Sequence, residues 1–192
     1  MAVLYESLTK AKDTKNTGKN NTFVFESVFD SYTKYESLFT TVNKYPDISS
    51  STSTNNGLQW NFQNNEDEEL AVDIKNFVKK KLNYDVDIAK RDSWAIIYQP
   101  GGWQALHYHS VPNERISVVL NFSKKTSTSH SDGALYGIIE KEKGVELFIS
   151  DYYPGKITIM DGGVLHGSYP TTSERKIIVL DFLVDKNSWQ SL

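Results

Sequence analysis

The sequence predicts a mainly β protein, an antiparallel sandwich or barrel preceded by helices, and three observations carry that expectation. After residue 92, eight short apolar runs follow one another at spacings of about 8 to 12 residues, with Gly, Pro, Asn and Asp between them. Before residue 92 the apolar positions recur at helical intervals instead. The chain of 192 residues has no repeat and no composition shift that would mark a linker, and it is long enough to bury one core of its own. We therefore expect a single domain, with residues 1–92 as a helical and loop-rich support and residues 93–185 as the β core.

In chain order, the opening MAVLYESLTKAKDTK breaks its apolar run after four residues and has no basic lead-in, so it does not read as a signal peptide. From about Asp30 to Tyr45, Tyr35, Leu38, Phe39 and Val42 share a helical face, and Pro46 ends the segment. Ser49 to Gly57 is polar and reads as a loop. Glu66-Asp67-Glu68-Glu69 opens a second helix, with Leu70, Ile74, Phe77, Val78 and Leu82 on one stripe and Lys79, Lys80 and Lys81 at its end; acid first and base last suits the helix dipole. The strand runs are WAIIY (94–98), QALHYH (104–109), ISVVLNF (116–122), ALYGII (134–139), ELFI (146–149), KITIM (156–160), VLHGSY (164–169) and KIIVLDFLV (176–184). The helices are expected to pack on the outside of one sheet.

Composition excludes several functions. With no cysteine, disulfides, thiolate metal sites and cysteine nucleophiles are ruled out, so any metal is held by imidazole and oxygen. Twenty-one basic against 24 acidic side chains give a net charge of −3, too balanced for a nucleic-acid or anionic-membrane surface. No run approaches the 18 or so apolar residues of a membrane span. These features together set the expectation of a cytoplasmic protein. Phosphate-binding loops, dinucleotide fingerprints and nucleophile elbows are missing.

The four histidines carry the most chemistry. His107 and His109 are two apart in a run that reads as a strand, so alternation places both imidazoles on one face. His166 follows Asp161-Gly162-Gly163-Val164-Leu165 at the start of a later strand, where a barrel wall can bring a third nitrogen to the first two. His130, in the polar stretch KKTSTSHSDG, reads as solvated surface. Arg175 stands nine residues after His166, at the head of an apolar strand. A guanidinium inside a barrel needs an anion, from a ligand or from a protein acid such as Asp181.

With these residues in place, Trp94 to Val184 resembles the double-stranded β-helix, a jelly-roll or cupin-type barrel, of iron(II)- and 2-oxoglutarate-dependent oxygenases, and in particular the prolyl-hydroxylase-like branch. That family carries His-x-Asp on one strand, a second His on a later one, and an Arg about nine residues beyond. Here His107-Tyr108-His109, His166 and Arg175 match those positions, and Tyr153-Pro154-Gly155-Lys156-Ile157-Thr158-Ile159-Met160 resembles the lead-in to the distal histidine. The resemblance implies Fe(II) held by His107, His109 and His166, and 2-oxoglutarate anchored by Arg175 and Tyr98. Gln104 and Asn121 are candidate substrate contacts.

Two departures stand out. His109 occupies the position of the family's carboxylate ligand, so Fe(II), three neutral imidazoles and dianionic 2-oxoglutarate sum to about zero formal charge, against one negative unit for the usual set. Ile177 stands where a hydroxyl often follows the arginine. A second reading stays open: G-x5-H-x-H-x4-E from Gly101 to Glu114 and G-x5-D-x-G-x2-H from Gly155 to His166 resemble cupin motifs, with His107, His109, Glu114 and His166 as ligands and no 2-oxoglutarate. A non-catalytic β-barrel binding module is the third. The reading favoured here is a non-haem Fe(II) dioxygenase that couples oxidative decarboxylation of 2-oxoglutarate to hydroxylation of an unidentified substrate, consuming O2.

Overall fold

The structure, a computed structural model, describes residues 22–44, 54–127, 129–141 and 144–184. The N-terminal residues 1–21, Pro46 and residues 49–53 of the expected loop lie outside them, as does the side chain of Val42. Nine strands make one antiparallel sheet: β1 (Val24–Val28), β2 (Thr54–Asn61), β3 (Val86–His107), β4 (Arg115–Asn121), β5 (Leu135–Lys141), β6 (Gly144–Ser150), β7 (Lys156–Asp161), β8 (Leu165–Ser168) and β9 (Arg175–Val184). Their spatial order is β1-β7-β4-β9-β3-β8-β5-β6, with β2 paired to β3. The result is a curled, half-barrel sheet of jelly-roll character.

The first half departs from the expectation in having strands. β1 pairs with β7, β2 pairs with β3, and β3 begins at Val86, so Thr54 to Gly57 are strand residues where a polar loop was expected. Their apolar content is low because each strand leans on a neighbour whose own residues supply the burial. The two helical segments are present. Asp30–Lys44 is a 3-10 helix that buries Tyr35 and Phe39, and α1 (Glu68–Leu82) buries Leu70, Ala71, Ile74 and Val78. Asn83 in the left-handed conformation (φ 59°) ends α1, its N–H donating to Lys79 O at 3.0 Å. Among the described residues no helix is long and apolar enough to cross a membrane.

Strict alternation explains why the core strands read as nearly continuous apolar runs: both faces of the sheet are buried. Ala95 and Ile97 of β3, Ile116, Val118 and Leu120 of β4, and Ile178, Leu180 and Phe182 of β9 pack beneath the helices with Leu70, Ile74 and Val78. The intervening Ile96, Tyr98, Val119, Ile177 and Val179 line the inside of the curl with Met160 and Val164. Each fully buried Leu, Ile or Phe on the helix side contributes roughly 1.5–3 kcal/mol.

One strand positions both ends of the site. β3 pairs with β9 from Val86 to Tyr98, bends, and pairs with β8 through Gln104 and His107. The bend falls at Pro100-Gly101-Gly102, where Gly101 has φ +85° and donates its N–H to Thr171 O at 2.6 Å. As a result Tyr98 is directly opposite Arg175, and His107 directly opposite His166. The intervals from residue 98 to 107 and from 166 to 175 are equal, so the two pairs face each other across one concavity.

Candidate active site

The three imidazoles converge. His107, His109 and His166 form the only group of three or more metal-ligating side chains among the described residues, with one ligand atom from each lying within 4.8 Å of the others. Their ring centroids are 4.5 to 4.9 Å apart. β3 ends at His107, so His109 sits just past the strand rather than within it, and hydrogen bonds hold it there instead. The N–H groups of His109 and Ser110 both donate to Gly162 O, at 2.9 and 3.0 Å.

The turn before His166 is built for that contact. Buried Asp161 accepts from the N–H of Gly163 at 2.9 Å and of Asn113 at 2.8 Å. A Cβ on Gly163 would come within 2.7 Å of Pro112, so the two loops approach as closely as they do only because the position has no side chain. Burial pushes the Asp161 carboxyl above its usual range, against the pull of those two donors.

Each histidine is held in one tautomer by its Nδ1. For His107 that atom lies 2.8 Å from Ala105 O, and for His166 2.8 Å from Val164 O; a carbonyl only accepts, so both Nδ1 atoms carry the proton. His109 Nδ1 is 2.7 and 2.8 Å from the two oxygens of Asp181, with Ser117 Oγ at 2.9 Å. All three Nε2 atoms are left with lone pairs. Those of His107 and His109 are 2.9 Å apart, close to the separation of about 3 Å for two nitrogens each about 2.1 Å from a metal and at right angles. Two neutral lone pairs at that distance repel unless a cation stands beside them, so the donor set fits a bound divalent metal. Burial, reinforced by the neighbouring imidazoles, drives His166 down to about 3 and lowers His107 as well, keeping both in the neutral form a metal requires.

The far side of the same cleft holds the guanidinium. Arg175 is buried, its Nε has no hydrogen-bond partner, and it stacks over Tyr98 and Tyr152 at 5.5 and 5.3 Å. Among the described residues it joins no carboxylate in an ion pair; Asp132 acts on it only through its field, and burial lowers its basicity. The cleft is narrow, with a cavity volume of about 10 Å³, and Trp94, Gln104, Ser168 and Ile177 stand in its walls beside the histidines and Arg175. Among the described residues, three of the four buried side-chain polar atoms without a partner are Trp94 Nε1, Ser168 Oγ and Arg175 Nε, all on residues of this one cleft, with the Tyr98 phenol the polar neighbour that acts on Ser168. Such a concentration is the mark of a polar ligand site.

Most of the expected residues meet here. Tyr98 donates to Gln104 Oε1 at 3.2 Å, and burial raises its phenol to about 12 against the opposing pull of Arg175. One expectation and two of the alternatives are corrected. Asn121 does not line the cleft: its amide donates to Tyr153 O at 2.6 Å and its oxygen accepts from Ser123, so it braces a loop. Glu114, the fourth ligand of the cupin reading, is exposed and outside the histidine cluster. Asp181 pairs with His109, not with Arg175. His130 is exposed as expected and lies 2.9 Å from Asp151.

Sequence reasoning passed over Ser168, Ser117 and the placement of Trp94 in the cleft wall. Period-2 alternation contained the signal for the two serines: Ser168 is two residues beyond His166, and Ser117 is directly opposite Asp181. A wider groove, with a volume of about 670 Å³, reaches His109, Asp181 and Trp94 from outside and is lined by Gln59, Asn61 and Arg115.

The fold and the site define a class: a curled antiparallel β protein with an imidazole triad and a buried guanidinium sharing one cleft. Among solved structures, the chain is similar to a prolyl-4-hydroxylase from Pseudomonas putida, with a TM-score of 0.65 and 12% identity over 86% of this chain and 94% of that one. It is also similar to a Trichoplax adhaerens prolyl hydroxylase in complex with a hypoxia-inducible-factor peptide fragment, with a TM-score of 0.63 and 14% identity over 92% and 90% of the two chains. A viral collagen prolyl hydroxylase from Paramecium bursaria Chlorella virus-1, in its 2-oxoglutarate complex, gives a TM-score of 0.56 and 16% identity over 87% and 96%. No protein-family model and no curated protein matches the sequence. The fold resembles that of these solved prolyl hydroxylases.

Proposed function

We propose that the protein is an Fe(II)- and 2-oxoglutarate-dependent dioxygenase acting in the cytoplasm, a single domain whose β core is a complete double-stranded β-helix. The observation that carries this reading is the pairing of two unsatisfied features in one cleft: three imidazole lone pairs at one end and a buried guanidinium at the other. His107, His109 and His166 would hold the iron through Nε2. Bound there, Fe(II) with 2-oxoglutarate supplies the activation of O2 that drives decarboxylation of the keto acid and hydroxylation of the substrate.

The chain's own residues bind, orient and exclude water. Arg175 takes the distal carboxylate as a bidentate partner, and the buried hydroxyl of Ser168 adds the contact that Ile177 does not offer. Tyr98 is kept neutral by burial, and its single O–H, donated to Gln104 in the ligand-free protein, would turn from Gln104 to the keto acid. Val119, Leu135, Ile177 and Val179 dry the walls, which strengthens every polar contact inside. The substrate approaches over the groove beside Trp94.

Two measurements test the reading: metal analysis of the purified protein and succinate release from 2-oxoglutarate. A metal-containing protein that neither releases succinate nor binds 2-oxoglutarate would support the cupin alternative. Failure to take up any divalent metal would support the binding module.

A further inference from the structure

The carboxylate that the ligand set lacks is present one step further out. Asp181 is buried, and His109 is its only ion-pair partner among the described residues. Among the described residues lysine and arginine are absent from its ion pairs: of the two arginines in the groove wall, Arg115 is engaged by Asp92, and Arg91 by Asp67 and Glu68. A buried carboxylate without a cation is costly, several kcal/mol if nothing offsets it. Its location is not accidental to the fold, because β4 and β9 place Ser117 and Asp181 directly opposite each other, and both reach the same Nδ1.

We propose that Asp181 is the displaced anion of this metal centre, acting through His109. In this arrangement the Asp181 carboxylate accepts the His109 Nδ1–H, raises the electron density at Nε2, and returns one negative unit to a cluster whose direct ligands are all neutral. Fe(II), three imidazoles and dianionic 2-oxoglutarate sum to about zero, and Asp181 brings the sum to about minus one, the value a direct carboxylate ligand gives. Asp181 is a positioning residue, acting on the metal through His109, and Ser117 Oγ lies 2.9 Å from the same Nδ1. The inference rests on the oxygenase reading for the metal and for the dianionic cosubstrate in the charge sum.

Co(II) is the probe, with affinity measured by calorimetry on the full chain and coordination followed by its visible absorption. Asp181→Asn keeps the acceptor oxygen and the shape but removes the charge, and it should weaken Co(II) binding by about 10- to 100-fold. His109→Asp with Asp181 retained crowds two carboxylates and should bind weakly. Adding Asp181→Asn to that variant moves the single anion inward and should recover affinity. An Asp181→Asn protein that binds Co(II) as tightly as wild type overturns the proposal while leaving the oxygenase reading intact. Should Asp181→Asn fail to fold, Asp181→Ser takes its place, and Co(II) binding by that variant as tight as wild type refutes the proposal. Wild-type protein that takes up no Co(II) removes the metal centre itself, which is the failure of the oxygenase reading.

Discussion

Replacing Arg175 by Met separates stability from function in a way few other substitutions here do. In the ligand-free protein the guanidinium sits in the cleft with an unpartnered Nε and no ion pair among the described residues, offset by the faces of Tyr98 and Tyr152 and by the field of Asp132. Two desolvated cation–π contacts contribute about 2 kcal/mol each. Burial of the charge costs several kcal/mol, and exchanging buried ionic groups for apolar ones of similar volume is stabilising by about 1–4 kcal/mol in known cases. The balance predicts that Arg175→Met raises the stability of the ligand-free protein by about 1–3 kcal/mol. For a domain of this size each kcal/mol moves Tm by about 2–4 °C, so the gain is about 2–12 °C. In the Co(II)-loaded wild type, 2-oxoglutarate at a hundred times its Kd adds about 2.7 kcal/mol, and the variant should lose that response. Thermal unfolding with and without 2-oxoglutarate measures both. If Arg175→Met melts below wild type without ligand and still responds to 2-oxoglutarate, the arginine is a structural group satisfied by the fold and the argument for an anion site fails.

Other substitutions and conditions probe the remaining parts of the account. Ser168→Ala should weaken 2-oxoglutarate binding by roughly 3- to 10-fold, the worth of one hydrogen bond, in a direct binding titration. His166 ionises near 6.5 when unfolded and near 3 when folded, so its contribution to stability is complete above pH 6.5 and falls as pH drops. At pH 5 the metal-free protein should be about 2 kcal/mol less stable than at pH 7 from this group alone, a loss that denaturant titrations detect. Asp67 and Arg91 form a buried bidentate pair at 2.8 and 3.0 Å at the start of α1, and Asp67→Asn should cost about 3–5 kcal/mol in urea unfolding. Burial alone would raise the Asp67 carboxyl, but Arg91 outweighs it and holds it low, so this pair's contribution is retained at neutral pH and lost only in acid.

Much of the site was legible because β alternation converts sequence spacing into a shared face. His107 and His166, Tyr98 and Arg175 are register partners, and nine-residue intervals, one along β3 and one from β8 to β9, carry one pair to the other. His109 met them although it lies beyond the strand, because backbone bonds to Gly162 replace strand pairing. The strands β1 and β2 were not legible: TNNGLQWN carries only two large apolar residues, and its strand form comes from pairing along β3. Asn121 misled for a related reason, since alternation gives the face of a side chain but not the loop carbonyl that claims it. The pairing of Asp181 with His109 depends on a contact between β9 and a loop 72 residues earlier, and no local pattern in the sequence encodes it.

The most direct measurement is an anaerobic titration of the Fe(II)-loaded protein with 2-oxoglutarate, followed by visible absorption. A new, saturable band in the wild type that is lost in Arg175→Met is the predicted result. Iron uptake without any spectral response to the keto acid would contradict the assignment of the guanidinium end of the cleft, and no iron uptake would contradict the metal centre.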